Sequence, residues 1–429
     1  MKQPQVPSYY RATATPYAPY APLQGRHEAR VVVVGGGYAG LNTALGLAER
    51  GVRDVVLLER EQVGFGASGR NGGFVFAGYS LGEQALLDQL GATRARALFD
   101  LTTAAVRRIR ERMAKYAIAC DAVDEGVIWA NWFRDPAVLR RRQQLLAEHY
   151  DTHWEWLSQG ELRERVRSPR YADGLYERNA LHLHPLNYAT GLAAAAAGLG
   201  VRVHEDSEVW RLRREGAHWR LDTPHGELLA EQVVLACGGY LAGLRRDIDR
   251  AVLPIATYVM ATEPLGERLD DCLRTRAAVY DTRFAFDYYR PLPDTRLLWG
   301  GRISIRNRSP QAVKRLLRRD LLRVFPQLDG VRVDYAWSGL MSYARHQMPQ
   351  LGSDGHGLWW AQAFGGHGLA PTCAAGELLA AAIAEGDDGW KRFADYGLAS
   401  VHKPLGFLAA QAGYWWQEGN DWLKTRLEG

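Results

Sequence analysis

The sequence predicts a mixed α/β fold, with a parallel sheet assembled from separated stretches of chain and an antiparallel sheet rich in aromatic residues beside it. Three observations predict it. Residues 31–61, VVVVGGGYAGLNTALGLAERGVRDVVLLERE, read as strand, glycine turn, helix and strand. Residues 191–239 add a small-residue helix and further strands that end in two glycines. Residues 251–335 interleave Tyr, Phe and Trp with Pro and Gly turns, as antiparallel strands do.

In the first stretch, the valines 31–34 form an apolar run suited to a strand buried on both faces. Gly35, Gly37 and Gly40 follow with G-x-G-x-x-G spacing. The first permits the tight turn, the second lets backbone approach a pyrophosphate, and the third lets helix and strand pack closely. Tyr38 sits inside this turn, and a helix opens at Ala39, with Leu41, Ala44, Leu45 and Ala48 at helical intervals and Gly51 as its stop. The returning strand ends in Glu59, nineteen residues beyond Gly40, where a carboxylate accepts hydrogen bonds from ribose hydroxyls; Arg60 follows it. These parts together make a Rossmann-like dinucleotide unit. NAD and FAD share that unit, and residues 64–75, GFGASGRNGGFV, favour FAD. This second glycine-rich loop, with Gly66, Ala67, Ser68, Arg70, Asn71, Gly72 and Gly73, has enough backbone donors to wrap a pyrophosphate and ribityl chain.

The remaining elements follow from changes of periodicity. Residues 1–29 form an extended Pro/Tyr leader that packs on the body, and residues 81–180 are a helical segment. A helix at 191–199 leads to a strand at 201–204, a three-stranded meander turning near Gly216 and at Gly226, and a last buried strand at 232–237. The FAD-binding domain is therefore expected from 30–80, 181–250 and 336–429, and the substrate domain from 251–335. Tyr258 lies on one of that domain's strands. In FDYYR, Phe286, Tyr288 and Arg290 point one way and Asp287 and Tyr289 the other; period two does not say which set meets the flavin.

Composition narrows the function classes. A formal net charge of +5 is spread without a concentrated basic tract, and residues 140–142 and 314–319 read as solvated helix faces, so no nucleic-acid partner is expected. Four cysteines form no C-x-x-C and no metal spacing, which disfavours disulfide-reductase and metal chemistry and makes a reducing cytoplasm the default. No apolar stretch is long enough for a membrane span.

The fingerprint and the GASGRNGG loop resemble those of the FAD-dependent amine oxidoreductases of the D-amino-acid oxidase and glycine oxidase superfamily. The loop is most similar to the gamma-glutamylputrescine oxidase branch. Residues 8–20, 286–301, 337–352 and 361–380 extend the resemblance along the chain. It implies a glutathione-reductase-type FAD domain, backbone contact of Val209 with the adenine, and passage of Cys237 and Gly238 beneath the dinucleotide. It also implies that GGHGLAPT, with Gly365, Gly366, His367, Gly368 and Leu369, presents a helix N-terminus to the flavin. His367 and Tyr288 are the polar candidates beside the reacting atoms, in a pocket shared with Phe364. Amino-acid oxidases of this superfamily hold the substrate carboxylate with an arginine in a W-x-G-L-R-P segment, and in that register this chain has Met341; Arg290 and Arg345 are the alternative guanidiniums.

The implied activity is oxidation of a small-molecule amine lacking an α-carboxylate, of polyamine or gamma-glutamylated type. Hydride passes to noncovalently bound FAD, an imine or aldehyde results, and oxygen or another acceptor reoxidises the flavin. The other readings are a dehydrogenase using a quinone or carrier protein, an oxidase of D-amino acids, glycine or sarcosine, and a noncatalytic flavin-binding subunit. An NAD(P)H-dependent reductase is disfavoured by the lack of a second G-x-G-x-x-G.

Overall fold

The valine run forms the centre of a parallel sheet. The computed structural model describes residues 7–427; residues 1–6 of the leader and 428–429 of the C-terminal segment lie outside it. Gly25–Val34 pairs in parallel with Gly226–Leu235 on one side and with Val55–Leu58 on the other. Arg202–His204 extends the sheet beyond Val55–Leu58, and Leu358–Gln362 extends it beyond Gly226–Leu235. Residues 31–34 are buried, as expected for a strand covered on both faces. The strand begins at Gly25, inside the stretch expected to be leader.

The meander is present as Arg211–Glu215, His218–Asp222 and Gly226–Leu235. Its third strand and the expected last buried strand are one continuous ten-residue element. The antiparallel edge therefore grows directly out of the parallel sheet. Helices Tyr38–Glu49 and Leu369–Glu385 pack against each other through small residues: a Cβ on Gly376 would lie 2.5 Å from Asn42 Cβ, and one on Gly46 2.9 Å from Ala380 Cβ. The buried Arg112 donates to Asn42 Oδ1 at 2.7 Å and to Glu49 Oε2 at 2.5 Å, and also pairs with Glu377, tying Glu83–Lys115 to both helices.

Among the described residues the second sheet has eight strands. Leu253–Thr262, Ala278–Asp281, Asp287–Pro291 and Leu297–Ser304 come from the expected substrate region. Val333–Tyr343 pairs along Leu253–Thr262, so the boundary expected at residue 336 falls inside a strand of this sheet. Three more strands, Val127–Ala130, Glu155–Leu157 and Gly174–Glu177, come from the segment expected to be helical. They are short and lie between genuine helices, so helical periodicity dominated a wide window. Pro310–Val324 covers one face of the sheet, with Val313, Leu317 and Leu321 in a core with Ala256, Tyr258 and Met260. Ile255 and Thr257 alternate with those residues and face the opposite side.

The described part of the leader packs on the body. Tyr9 and Tyr10 are buried, and the Tyr10 ring lies 5.3 Å from that of Trp337. The Tyr17 hydroxyl donates to Glu205 at 2.5 Å. No helix among the described residues is long and apolar enough to cross a membrane.

Candidate active site

The carboxyl ends of the parallel strands open into a cavity of about 1550 Å³ that continues beneath the second sheet. Its nucleotide end begins at the fingerprint. Gly35 has φ +114°, and a Cβ there would lie 2.6 Å from the Ala236 carbonyl oxygen, so only glycine fits the crossing of these two strand ends. A Cβ on Gly40 would lie 2.0 Å from Gly35 O, giving Gly40 the packing role its position predicts rather than a place on the cavity wall. Gly37 lines the cavity and precedes Tyr38–Glu49 without a side-chain cap, which leaves the positive end of that helix directed at the cavity. Tyr38 and Ala39 line it as well.

Glu59 stands at the cavity wall just past Val55–Leu58. Its carboxylate accepts from Gly36 N at 2.6 Å and Glu61 N at 2.9 Å. Burial raises its pKa, although these two amides oppose the shift. Arg60, Val209, Cys237 and Gly238 complete this end of the cavity. The second glycine loop is braced against the first: Tyr38 N donates to Ser68 Oγ at 2.9 Å and Gly64 N to Gly36 O at 3.0 Å. Asn71 donates to Ala67 O and Ser68 O and accepts from Gly73 N, which locks the turn. Gly66, Ala67, Ser68, Arg70, Asn71 and Gly72 line the cavity. Gly73 does not; with φ +82°, its missing Cβ leaves room for Leu183 O, which a Cβ would approach to 2.1 Å.

At the far end, Gly365 to Leu369 form the loop and first turn of Leu369–Glu385, and its cap, Gly368, makes no side-chain bond. Ser80 Oγ accepts from Gly366 N at 2.9 Å and fixes the loop. The His367 ring meets Phe76 edge-on at 4.9 Å. Desolvation pushes its pKa down to about 4; nearby Glu83 opposes this and Arg142 adds to it, so the imidazole is neutral at pH 7. Met341 lines the same wall, and a Cβ on Gly366 would lie 3.9 Å from its sulfur. Phe286, Tyr288 and Phe364 also line it. The Tyr288 ring is wedged between glycines: a Cβ on Gly72 would lie 2.5 Å from Tyr288 Cε2, and one on Gly300 would lie 2.0 Å from Cζ.

Three residues expected in the pocket are elsewhere. Tyr258 points to the helix-covered face, where its hydroxyl donates to Arg306 O at 2.5 Å. Tyr289 stacks on Trp299 at 4.6 Å within the same core. Arg290 is buried behind the glycine loop, where Nε donates to Gly72 O at 2.7 Å and a terminal nitrogen donates to Leu183 O at 2.9 Å. It supports the loop and does not reach the cavity, whereas Arg345 is exposed at the cavity wall.

The sequence reading missed Phe76, Glu83, Trp129, Arg142 and Tyr280, all of which line the cavity. Arg142 was expected on a solvated helix face. It lies three residues after buried Leu139 and four before buried Leu146, and that spacing puts it on the inward stripe of Ala137–Tyr150.

The cavity's dinucleotide end matches what a family comparison finds: residues 30–382 match the FAD dependent oxidoreductase family. The chain belongs to that family. It is 37% identical over 375 residues to gamma-glutamylputrescine oxidoreductase of Escherichia coli, covering 87% of this chain and 88% of the relative. It is 33% identical over 413 residues to a probable oxidoreductase, OrdL, of Haemophilus influenzae, covering 93% of each. Glycine oxidase of Geobacillus kaustophilus superposes with a TM-score of 0.69 at 25% identity, covering 87% of this chain and 99% of that one. The protein is an FAD-dependent oxidoreductase with the D-amino-acid oxidase-like fold that the sequence implied. FAD supplies the electron-accepting chemistry. The open helix start at Gly37, the carboxylate of Glu59 and the braced second loop fit its nucleotide end.

Proposed function

We propose that this enzyme oxidises a primary or secondary amine without an α-carboxylate, of the polyamine or gamma-glutamylated type, and releases an imine that water converts to an aldehyde. The observation that carries this reading is Met341. Its thioether stands against the Gly365–Gly368 loop, in the register where amino-acid oxidases of the superfamily place the carboxylate-binding arginine. A desolvated carboxylate there would have no bidentate partner, at a cost of several kcal/mol. Gamma-glutamylputrescine oxidoreductase among the relatives supports the same substrate class.

FAD, held noncovalently by the helix start at Gly37, Glu59 and the second glycine loop, would supply the two-electron acceptor for the amine, with oxygen as the final acceptor giving hydrogen peroxide. The chain's own residues bind and orient. Phe286, Tyr288, Phe364 and Met341 offer an apolar wall to the carbon beside the amine. Neutral His367 places no competing positive charge beside the amine. The positive end of Leu369–Glu385 opens on the cavity and would favour negative charge developing there on reduction. Cys373 is fully buried and lies outside the cavity wall, and burial pushes its thiol up to about 12, which supports noncovalent attachment.

Anaerobic flavin bleaching tests the substrate class. Diamines, polyamines and gamma-glutamylated amines should bleach the flavin faster than glycine, sarcosine or any D-amino acid. A preference for an α-amino acid overturns the reading. Peroxide formation in air, measured in the same preparations, tests oxygen as the acceptor.

A further inference from the structure

Beyond His367 the cavity reaches a wall that carries both signs of charge. Glu83, in the first turn of Glu83–Lys115, and Arg142, in Ala137–Tyr150, both line it and form an ion pair at 2.9 Å. The Arg142 guanidinium lies 4.6 Å from the Trp129 ring centroid and 4.8 Å from that of Trp154, so two indoles hold it in place. Its Nε has no hydrogen-bond partner among the described residues. Glu177 is buried beside the pair, and desolvation pushes its carboxyl up to about 8 against the pull of Arg142. Glu83 and Arg142 thus give the wall one anion and one cation.

Aromatic rings connect this pair to the flavin end. Phe76 lies 4.9 Å from His367 and stacks on Tyr280 at 5.8 Å; Tyr280 stacks on Trp129 at 6.2 Å, and Arg142 covers Trp129. An aliphatic stem running along these rings would have its reacting amine near His367 and its other end at Glu83 and Arg142.

Resting on the amine reading above, we propose that the Glu83–Arg142 pair binds a zwitterionic α-amino-carboxylate head at the end of the substrate remote from the oxidised carbon, as in a diamine acylated through the γ-carboxyl of glutamate. Arg142 takes the carboxylate and Glu83 the ammonium. One internal ion pair is exchanged for two charge-matched contacts, in a setting shielded from water by tryptophan. A free diamine presents only an ammonium, which Glu83 can take at the cost of leaving Arg142 without its partner. A neutral acyl cap engages neither charge.

The test is anaerobic stopped-flow reduction of the FAD-loaded enzyme by γ-glutamylputrescine and by N-acetylputrescine, which share the reacting amine and differ in the head. The wild-type enzyme should bind the first more tightly. In Arg142→Met that preference should fall about ten- to a hundredfold, the value of a charged hydrogen bond in a desolvated site, and the change should appear in apparent Kd rather than in the limiting rate. Arg142→Lys should recover part of it. The proposal is overturned if wild-type enzyme handles the two amines alike, or if Arg142→Met leaves their ratio unchanged. Should Arg142→Met lose its flavin, the wild-type ratio and the ratio in Glu83→Gln decide the matter. Bleaching by both amines without preference sinks only this proposal, whereas bleaching by neither sinks the amine reading beneath it.

Discussion

Arg290→Met separates a loop-supporting role from a substrate-binding one. Arg290 is 2% exposed and donates to Gly72 O at 2.7 Å, to Leu183 O at 2.9 Å and to the Tyr10 hydroxyl at 3.2 Å. Methionine of similar reach fills the space but donates nothing, leaving two buried carbonyls without this donor. Each orphaned acceptor costs about 1–3 kcal/mol, so the pair costs about 2–6 kcal/mol. Gly72 lines the flavin cavity, so part of that cost falls on cofactor binding. Since 1.4 kcal/mol is a factor of ten, the flavin dissociation constant should rise about tenfold or more. Flavin fluorescence on titrating apoenzyme measures the constant, and intrinsic fluorescence on heating measures the lower thermal midpoint. Unchanged flavin affinity and midpoint, with a KM raised only for carboxylate-bearing substrates, would refute the reasoning and return Arg290 to the substrate pocket.

Four further perturbations follow from the same geometry. Gly40→Ala sets a Cβ 2.0 Å from Gly35 O, so the fingerprint turn must move; a loss of about 1–3 kcal/mol in stability and poor flavin retention are expected from melting and from absorbance at purification. Gly300→Ala displaces the Tyr288 ring, and the limiting rate of anaerobic flavin reduction should drop about a hundredfold while flavin content stays normal. Met341→Arg should slow turnover of amines and admit small amino acids such as glycine, read as a reversed ranking in the bleaching panel. His184 is buried, caps Pro185–Gly198 by accepting from Asn187 N, and has its pKa pushed down to about 4 by burial and then by Arg290. The unfolded chain takes up a proton near pH 6.5 that the folded chain refuses. Stability is therefore lost as pH falls from about 6.5 to about 4, by about 3 kcal/mol. His184→Asn keeps a capping acceptor without a titrating group and should move the acid-unfolding midpoint to lower pH; an unmoved midpoint counts against the shift.

The nucleotide half of the site was legible because its chemistry is local. Gly35, Gly37, Gly40 and Glu59 are set by spacing within one strand, turn, helix and strand unit, and residues 66–72 by one short loop. Each is specified by neighbours a few positions away. His367 and Met341 were read through register with a known family, and both line the cavity.

What the sequence by itself determined, then, is the dinucleotide unit, the flavin and the family, since these depend on short-range order that the tertiary fold only completes. The tertiary structure alone decided which aromatic and charged residues line the cavity. In Leu253–Thr262 and Asp287–Pro291, period-two alternation sorts residues into two faces, but only the packing of Pro310–Val324 says which is core; it sends Tyr258 and Tyr289 inward and leaves Thr257 and Tyr288 to the cavity. Arg290 shares the face of Tyr288, yet the glycine loop crosses over it and takes its hydrogen bonds. Glu83, Trp129 and Arg142 come together from two helices and a strand far apart in the chain, and only the pairing of Val127–Ala130 with Ala278–Asp281 in the second sheet brings that strand to the cavity.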